Sequence, residues 1–179
     1  MIRSVAVFCG SRAGNNPAYA DAATRLGSAL AKAGMTLIYG GGKAGIMGIV
    51  ADAALAAQGG VEGIIPEFLM QWEVAHPGVA DMRVTDSMHS RKRQMFDRAD
   101  AFVTLPGGLG TLDETIEILT WRQLRQHEKP ILICDVAGWA RHFVGAIEAT
   151  VEQGFADASV LQFIEVFDGP DAIMDRLRA

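Results

Sequence analysis

Short runs of β-branched and apolar residues alternate along the chain with longer segments whose apolar positions recur at helical spacing, and Gly or Pro clusters stand between them. The runs predict strands near Ser4–Phe8, Thr36–Tyr39, Val61–Ile65, Met82–Thr85, Ala101–Leu105, Ile131–Cys134 and Phe163–Val166. The intervals predict helices, most clearly Tyr19–Ala33, Ile46–Gln58, Met88–Arg98, Leu112–Gln126, Trp139–Gln153 and Pro170–Leu177. Such alternation builds right-handed crossovers. The expectation is an α/β, Rossmann-like three-layer fold with a central, mainly parallel sheet of about seven strands and helices on both faces. Ligands of such sheets bind at the carboxyl ends of the strands, so the loops that follow strands matter most. The longest irregular stretch, Gln71–Asp81, carries Trp72, Glu73, His76, Pro77 and Gly78 and reads as a rim or lid loop.

Composition narrows the partners. A length of 179 residues with 50% hydrophobic content fits one domain, residues 1–179, with a substantial core. The net charge of −5 comes without a basic block, so the field that draws proteins onto DNA, RNA or an anionic membrane is missing and a small-molecule ligand is expected. Cys9 and Cys134 form no CxxC pair and no disulfide framework, which points to the cytoplasm. The opening MIRSVAVFCG runs straight into a strand pattern and is too short for a signal h-region or a membrane span.

Three glycine-bearing loops follow predicted strands: Cys9-Gly10-Ser11, Gly40-Gly41-Gly42-Lys43-Ala44-Gly45 and Pro106-Gly107-Gly108-Leu109-Gly110-Thr111. Glycine lets backbone N–H groups approach a ligand, and a following helix N-terminus favours an anion, so phosphate is the natural tenant. Each glycine could equally serve only its turn. The second loop matches G-x-G-x-x-G, but the acid about twenty residues on, Glu62, opens its strand, whereas a ribose-binding acid belongs near the strand's end. A Walker A motif fails as well: position 37 is leucine, and Ala44 stands where Ser or Thr would meet magnesium.

The segment Met88-His89-Ser90-Arg91-Lys92-Arg93-Gln94-Met95 sets two cations beside the third loop. Met88, Arg91 and Met95 share a helical stripe that suits a purine, although the same spacing also describes core methionines beside a solvated charged face. Thr111-Leu112-Asp113-Glu114 reads as a capping box with Thr111 as N-cap. Carboxylates in that turn would repel a phosphate at the same helix end unless cations balance them or they face another part of the ligand, such as the ribose. Cleavage of an N-glycosidic bond passes through an oxocarbenium-like sugar, which a carboxylate stabilises.

The run P-G-G-x-G-T-x-x-E at Pro106–Glu114, preceded by Met88-His89-Ser90-Arg91-Lys92, resembles the Lonely Guy (LOG) family of cytokinin-activating phosphoribohydrolases, many of which were once labelled lysine decarboxylases. The likeness extends over nearly the whole chain, through Phe8-Cys9-Gly10-Ser11, Tyr39-Gly40-Gly41-Gly42, Ile46-Met47-Gly48, Ile65-Pro66, Thr120-Trp121 and Glu152-Gln153-Gly154-Phe155. The resemblance implies a Rossmann-like homodimer that releases a free base and ribose 5-phosphate from purine riboside 5′-monophosphates. It implies Arg91 and Glu114 as the catalytic pair. Substrate contacts are implied for Glu73, Met88, Lys92, Gly107, Gly108, Leu109, Gly110, Thr111, Leu112, Asp113 and Thr120. Ser90 departs from the acidic residue that the family often has before Arg-Lys, and the Gln71–Asp81 loop has its own wording; both bear on substrate preference.

Other chemistries fall away on spacing. No cofactor is expected, since Lys32, Lys43, Lys92 and Lys129 lie outside any Schiff-base motif. No metal is expected from His76, His89, His127 and His142, which make no close ligand pair. Ser11 lacks a nucleophile elbow and Cys9 a recognisable His partner. The tryptophans read as core or interface, with Trp121 a candidate for facing a partner subunit. The alternative to a hydrolase is a non-catalytic nucleotide-binding or carrier module on the same loops. A pure binder has little reason to set Glu114 against an anion site.

Overall fold

The computed structural model describes residues 1–70 and 74–179. The chain runs β1 (Ser4–Phe8), α1 (Pro17–Lys32), β2 (Thr36–Tyr39), α2 (Gly45–Ala56), β3 (Val61–Pro66), β4 (Asp81–Thr85), α3 (Met88–Arg98) and β5 (Ala101–Thr104). It continues through α4 (Leu109–Gln123), β6 (Ile131–Cys134), α5 (Arg141–Glu152), β7 (Ile164–Phe167) and α6 (Pro170–Arg178). The strands form one sheet in the order β4-β3-β2-β1-β5-β6-β7, with every neighbouring pair parallel. The order reverses at β1, which opens a crevice beyond the carboxyl ends of β1 and β5.

Alternation within the strands decides the layers. Val5 and Val7 face a core shared with Leu26 of α1, Val50 of α2 and Ile173 of α6, whereas Ala6 and Phe8 face Met95 of α3, Ile118 of α4 and Ile147 of α5. Both faces are covered, so the central strands read as nearly unbroken apolar runs. Helices α1 and α2 cross closely because Gly27 has no side chain: a Cβ there would drive into the Val50 carbonyl oxygen.

Four helix starts differ from the sequence pattern: α1 begins at Pro17 rather than Tyr19 and α2 at Gly45 rather than Ile46, and the shifts of α5 and α4 have causes in the loops before them. Helix α5 begins at Arg141 rather than Trp139, because Ala137 (φ 53°) and Gly138 (φ 75°) are left-handed and the Asp135 carboxylate accepts the Ala140 N–H instead. Helix α4 begins at Leu109, three residues before the expected start, with Gly108 as its N-cap. Thr111 is therefore inside the first turn, and the capping-box reading is corrected: the glycines yield to the helix because the loop is pinned by packing rather than by a side-chain cap.

Between α4 and β6, His127 Nε2 lies 2.8 Å from the Ile118 carbonyl oxygen and Nδ1 accepts the Lys129 N–H at 3.1 Å. Its ring meets Phe96 edge-on, centroids 5.1 Å apart. Trp121, proposed above for an interface, also packs edge-on against Phe96 at 4.8 Å, within its own chain's core. Among the described residues no helix is long and apolar enough to cross a membrane.

Candidate active site

At the crevice the loops after β1 and β5 are zipped together, Gly10 N–H donating to Pro106 O at 3.1 Å. Gly107 allows the approach, since a Cβ there would collide with the Thr111 hydroxyl and sit 2.7 Å from Gly10 N. The first intrahelical donor of α4 is Leu112, bonded to Gly108 O at 3.1 Å, so the preceding amides of Leu109, Gly110 and Thr111 present the positive end of the helix to the crevice. The Thr111 hydroxyl oxygen is buried and, among the described residues, has no hydrogen-bond partner. It lines a cleft of about 140 Å³ together with Cys9, Gly10, Ser11, Met47, Arg91 and Glu114. A buried hydroxyl left for a ligand at a helix N-terminus is an anion subsite in the making.

The second glycine loop does not compete for that role. The N-terminus of α2 abuts the Ser11–Arg12 backbone so closely that Gly45 admits no Cβ, and Met47 N–H already donates to Gly10 O at 3.1 Å. Gly40, Gly41 and Gly45 serve packing, which weighs against a dinucleotide reading.

Deeper in the cleft, Arg91 of α3 and Glu114 of α4 are both buried, 6% and 7% exposed, with Nη1 and Oε1 3.6 Å apart. Backbone carbonyls aim the guanidinium: Nε donates to Ile64 O at 3.1 Å and Nη2 lies 3.5 Å from Gly40 O, while Nη1 touches the Met88 sulfur at 3.7 Å. A Cβ on Gly40 would occupy the space of Arg91 Nη2. Glu114 faces the cleft one turn into α4, which puts a carboxylate beyond the anion subsite rather than at it.

Lys92 takes a different place from the one its motif suggests. Its ammonium bridges Asp113 at 3.1 Å and Glu117 at 3.0 Å, tying α3 to α4. Burial alone would lower its pKa, and the hydrogen bonds and charges of Glu117 and Asp113 more than offset that, so it stays above the ordinary lysine value. Glu117 is not among the site residues expected from the sequence, although it lies one helical turn from both Asp113 and Glu114, which is the available signal. Two cations, Arg91 and Lys92, meet three carboxylates, Asp113, Glu114 and Glu117, so any attraction of this cleft for an anion comes from backbone amides rather than from excess positive charge.

Thr120 is not brought to the cleft: its hydroxyl donates to Ile116 O at 2.8 Å, and it lines a separate groove of about 360 Å³ with Leu112, Ile116, Leu119, Phe143 and Ile147. Glu73 lies outside the described residues, as does Trp72. A wider basin of about 760 Å³ opens beside the cleft, sharing Gly10, Ser11, Gly108 and Leu109 with it and walled by Arg12, Tyr19 and Trp139.

Residues 47–177 match the family model described as "Possible lysine decarboxylase". Over 162 residues the chain is 40% identical to the cytokinin riboside 5′-monophosphate phosphoribohydrolase LOG1 of Arabidopsis thaliana, covering 90% of this chain and 76% of that one. The chain belongs to the LOG family. A probable member from Oryza sativa subsp. japonica, LOGL9, is 42% identical over 172 residues, 96% of this chain and 76% of its own. Among solved structures, a molybdenum cofactor binding protein from Rippkaea orientalis superimposes with a TM-score of 0.76 at 20% identity, covering 99% of this chain and 96% of that one. A molybdenum cofactor carrier protein from Chlamydomonas reinhardtii gives 0.75 at 19% identity, covering 99% and 97%. At such identities these two share the fold with the LOG chain, and nothing further follows from them.

Proposed function

We propose that this chain hydrolyses the N-glycosidic bond of AMP or an N6-substituted, cytokinin-type adenine riboside 5′-monophosphate, giving free base and ribose 5-phosphate. It does so without a cofactor and as a homodimer, with residues 1–179 forming one domain. The observation that carries the reading is the buried Arg91–Glu114 pair standing just past an anion subsite at the α4 N-terminus. The 5′-phosphate sits on the amides of Leu109, Gly110 and Thr111, with the Thr111 hydroxyl as donor. The ribose then extends toward Glu114. As the bond from C1′ to the base breaks, positive charge grows on the ring; Glu114 stabilises it and orients the water whose oxygen joins C1′. The water's proton leaves with the base. Arg91, 3.6 Å from the carboxylate, holds it in position, and Met88 beside it offers an apolar contact to the purine. Lys92 and Asp113 act with Glu117 in holding α3 against α4.

A carrier on the same fold would hold its ligand by the glycine loops alone. Burying an ion pair costs several kcal/mol of desolvation per ion, on the order of the figures known for buried charges, which a mere binder has no reason to meet. The dimer reading rests on the groove that contains Thr120. Its walls are largely apolar, with Ile116 42% exposed at its edge.

The test is chromatographic detection of base from AMP and N6-isopentenyl-AMP, beside the matching nucleosides and Glu114→Gln. Release from the monophosphates only, reduced about 10²–10³-fold in the variant, is the expected result. AMP binding without release from either nucleotide would leave the carrier.

A further inference from the structure

We propose that His76 is a positioning residue for Arg91, clamping the Gly40–Lys43 loop whose carbonyl holds the guanidinium; the inference rests on the hydrolase reading of the Arg91–Glu114 site. The ring is 5% exposed. Its Nδ1 accepts the Gly78 N–H at 3.1 Å, so that nitrogen carries a lone pair and the ring proton sits on Nε2, which donates to the Asp52 carboxylate at 3.0 Å. One side chain thus joins the segment after residue 73 to helix α2.

The backbone of the same segment is laid against the glycine loop. His76 N–H donates to Gly41 O at 2.9 Å, Lys43 N–H donates to Val74 O at 3.1 Å, and Gly42 and Ala75 form an antiparallel bridge. The loop needs that outside hold. Gly41 adopts φ +80°, with a Cβ falling 3.0 Å from Ile65 Cβ, and glycine runs have many backbone states to lose on ordering. The preceding peptide supplies Gly40 O, 3.5 Å from Arg91 Nη2, while Nη1 of the same guanidinium faces Glu114. A shift of Gly40 O therefore moves the arginine at the reacting centre. Asp52 is 68% exposed and meets no part of the cleft, so its influence on the site passes through the ring and the loop.

The experiment uses the whole chain as Asp52→Ala, Asp52→Asn and His76→Asn. Asn at 52 keeps an oxygen to accept the Nε2 proton; Asn at 76 keeps an acceptor for Gly78 N–H but does not reach Asp52. Two readouts are followed: exchange of the Arg91 Nη protons by NMR, and kcat and KM for adenine release from AMP. The expected result is an Arg91 Nη–H exchange rate raised about tenfold in Asp52→Ala and His76→Asn, with kcat lowered by a similar factor and KM little changed. Asp52→Asn should match wild type. Unchanged Arg91 exchange in Asp52→Ala and His76→Asn overturns the clamp, as does an Asp52→Asn that behaves like Asp52→Ala. So does faster exchange throughout the β5 amides, which would mean general loosening. If wild type releases no base, the hydrolase reading fails separately, and the exchange pattern alone still decides the clamp.

Discussion

Arg91 is held by what its neighbours lack as much as by what they offer. The guanidinium fills the space that a Cβ on Gly40 would take, and it bonds the carbonyls of Ile64 and Gly40. Gly40→Ala should therefore expel Arg91 from Glu114 and lower kcat about 10²-fold, an effect on the scale of a reacting group misplaced by about 1 Å. Kinetics beside a melting curve checks it: activity must fall far more than stability. Little of this was legible in the sequence. Arg91 and Glu114 were, through the motif they complete, and the structure buries both in one cleft. Gly40 was visible as a turn glycine after a strand, but no spacing rule says that its carbonyl aims a side chain 51 positions later. Thr111 misled for a related reason: Thr-x-x-Glu is a capping signature wherever a helix starts at the threonine, and here packing of Gly107 against Gly10 moves the start to Leu109.

Helices and strands were easier to read than their ends. Strands buried on both faces announce themselves as apolar runs, and β1, β2 and β6 fall where the pattern put them. Ends depend on contacts distant in sequence, as the left-handed Ala137 and Gly138 before α5 illustrate. The crossing of α1 over α2 depends on one missing atom. Gly27→Ala should push its methyl against Val50 O and cost about 1–3 kcal/mol, the usual penalty of overpacking, even though alanine is the better helix former. Urea unfolding measures it, and a stabilised variant would refute the packing account. The link between α3 and α4 is of another kind. Lys92, between Asp113 and Glu117, is an electrostatic strut that the motif alone presents as a ligand contact.

For the whole molecule, the reversal of strand order at β1 decides where chemistry can occur, and strand–helix alternation sufficed to anticipate a parallel sheet. Assembly was not readable from periodicity, since an apolar position on a helix serves a core or a second copy equally well. If the groove between α4 and α5 joins two chains, Ile116→Asp should yield a folded monomer where wild type sediments at twice the mass; an unchanged mass would place the interface elsewhere. The turn after α4 carries a different consequence. Because Lys129 N–H points at His127 Nδ1, the native ring has no room for a second proton. Burial, opposed by the Ile118 carbonyl and aided by the Arg122 and Lys129 charges, keeps its pKa below the ordinary 6.5. The unfolded chain therefore takes up a proton that the native one refuses. Stability present above about pH 6.5 drains away as pH falls through the native value, while aspartates such as Asp100, with pKa values lowered below 3.8, remain ionised. Melting temperature should decline between pH 7 and pH 5, and decline less in His127→Gln. Acid, on this account, works on the fold through the joint that closes α4 onto the sheet.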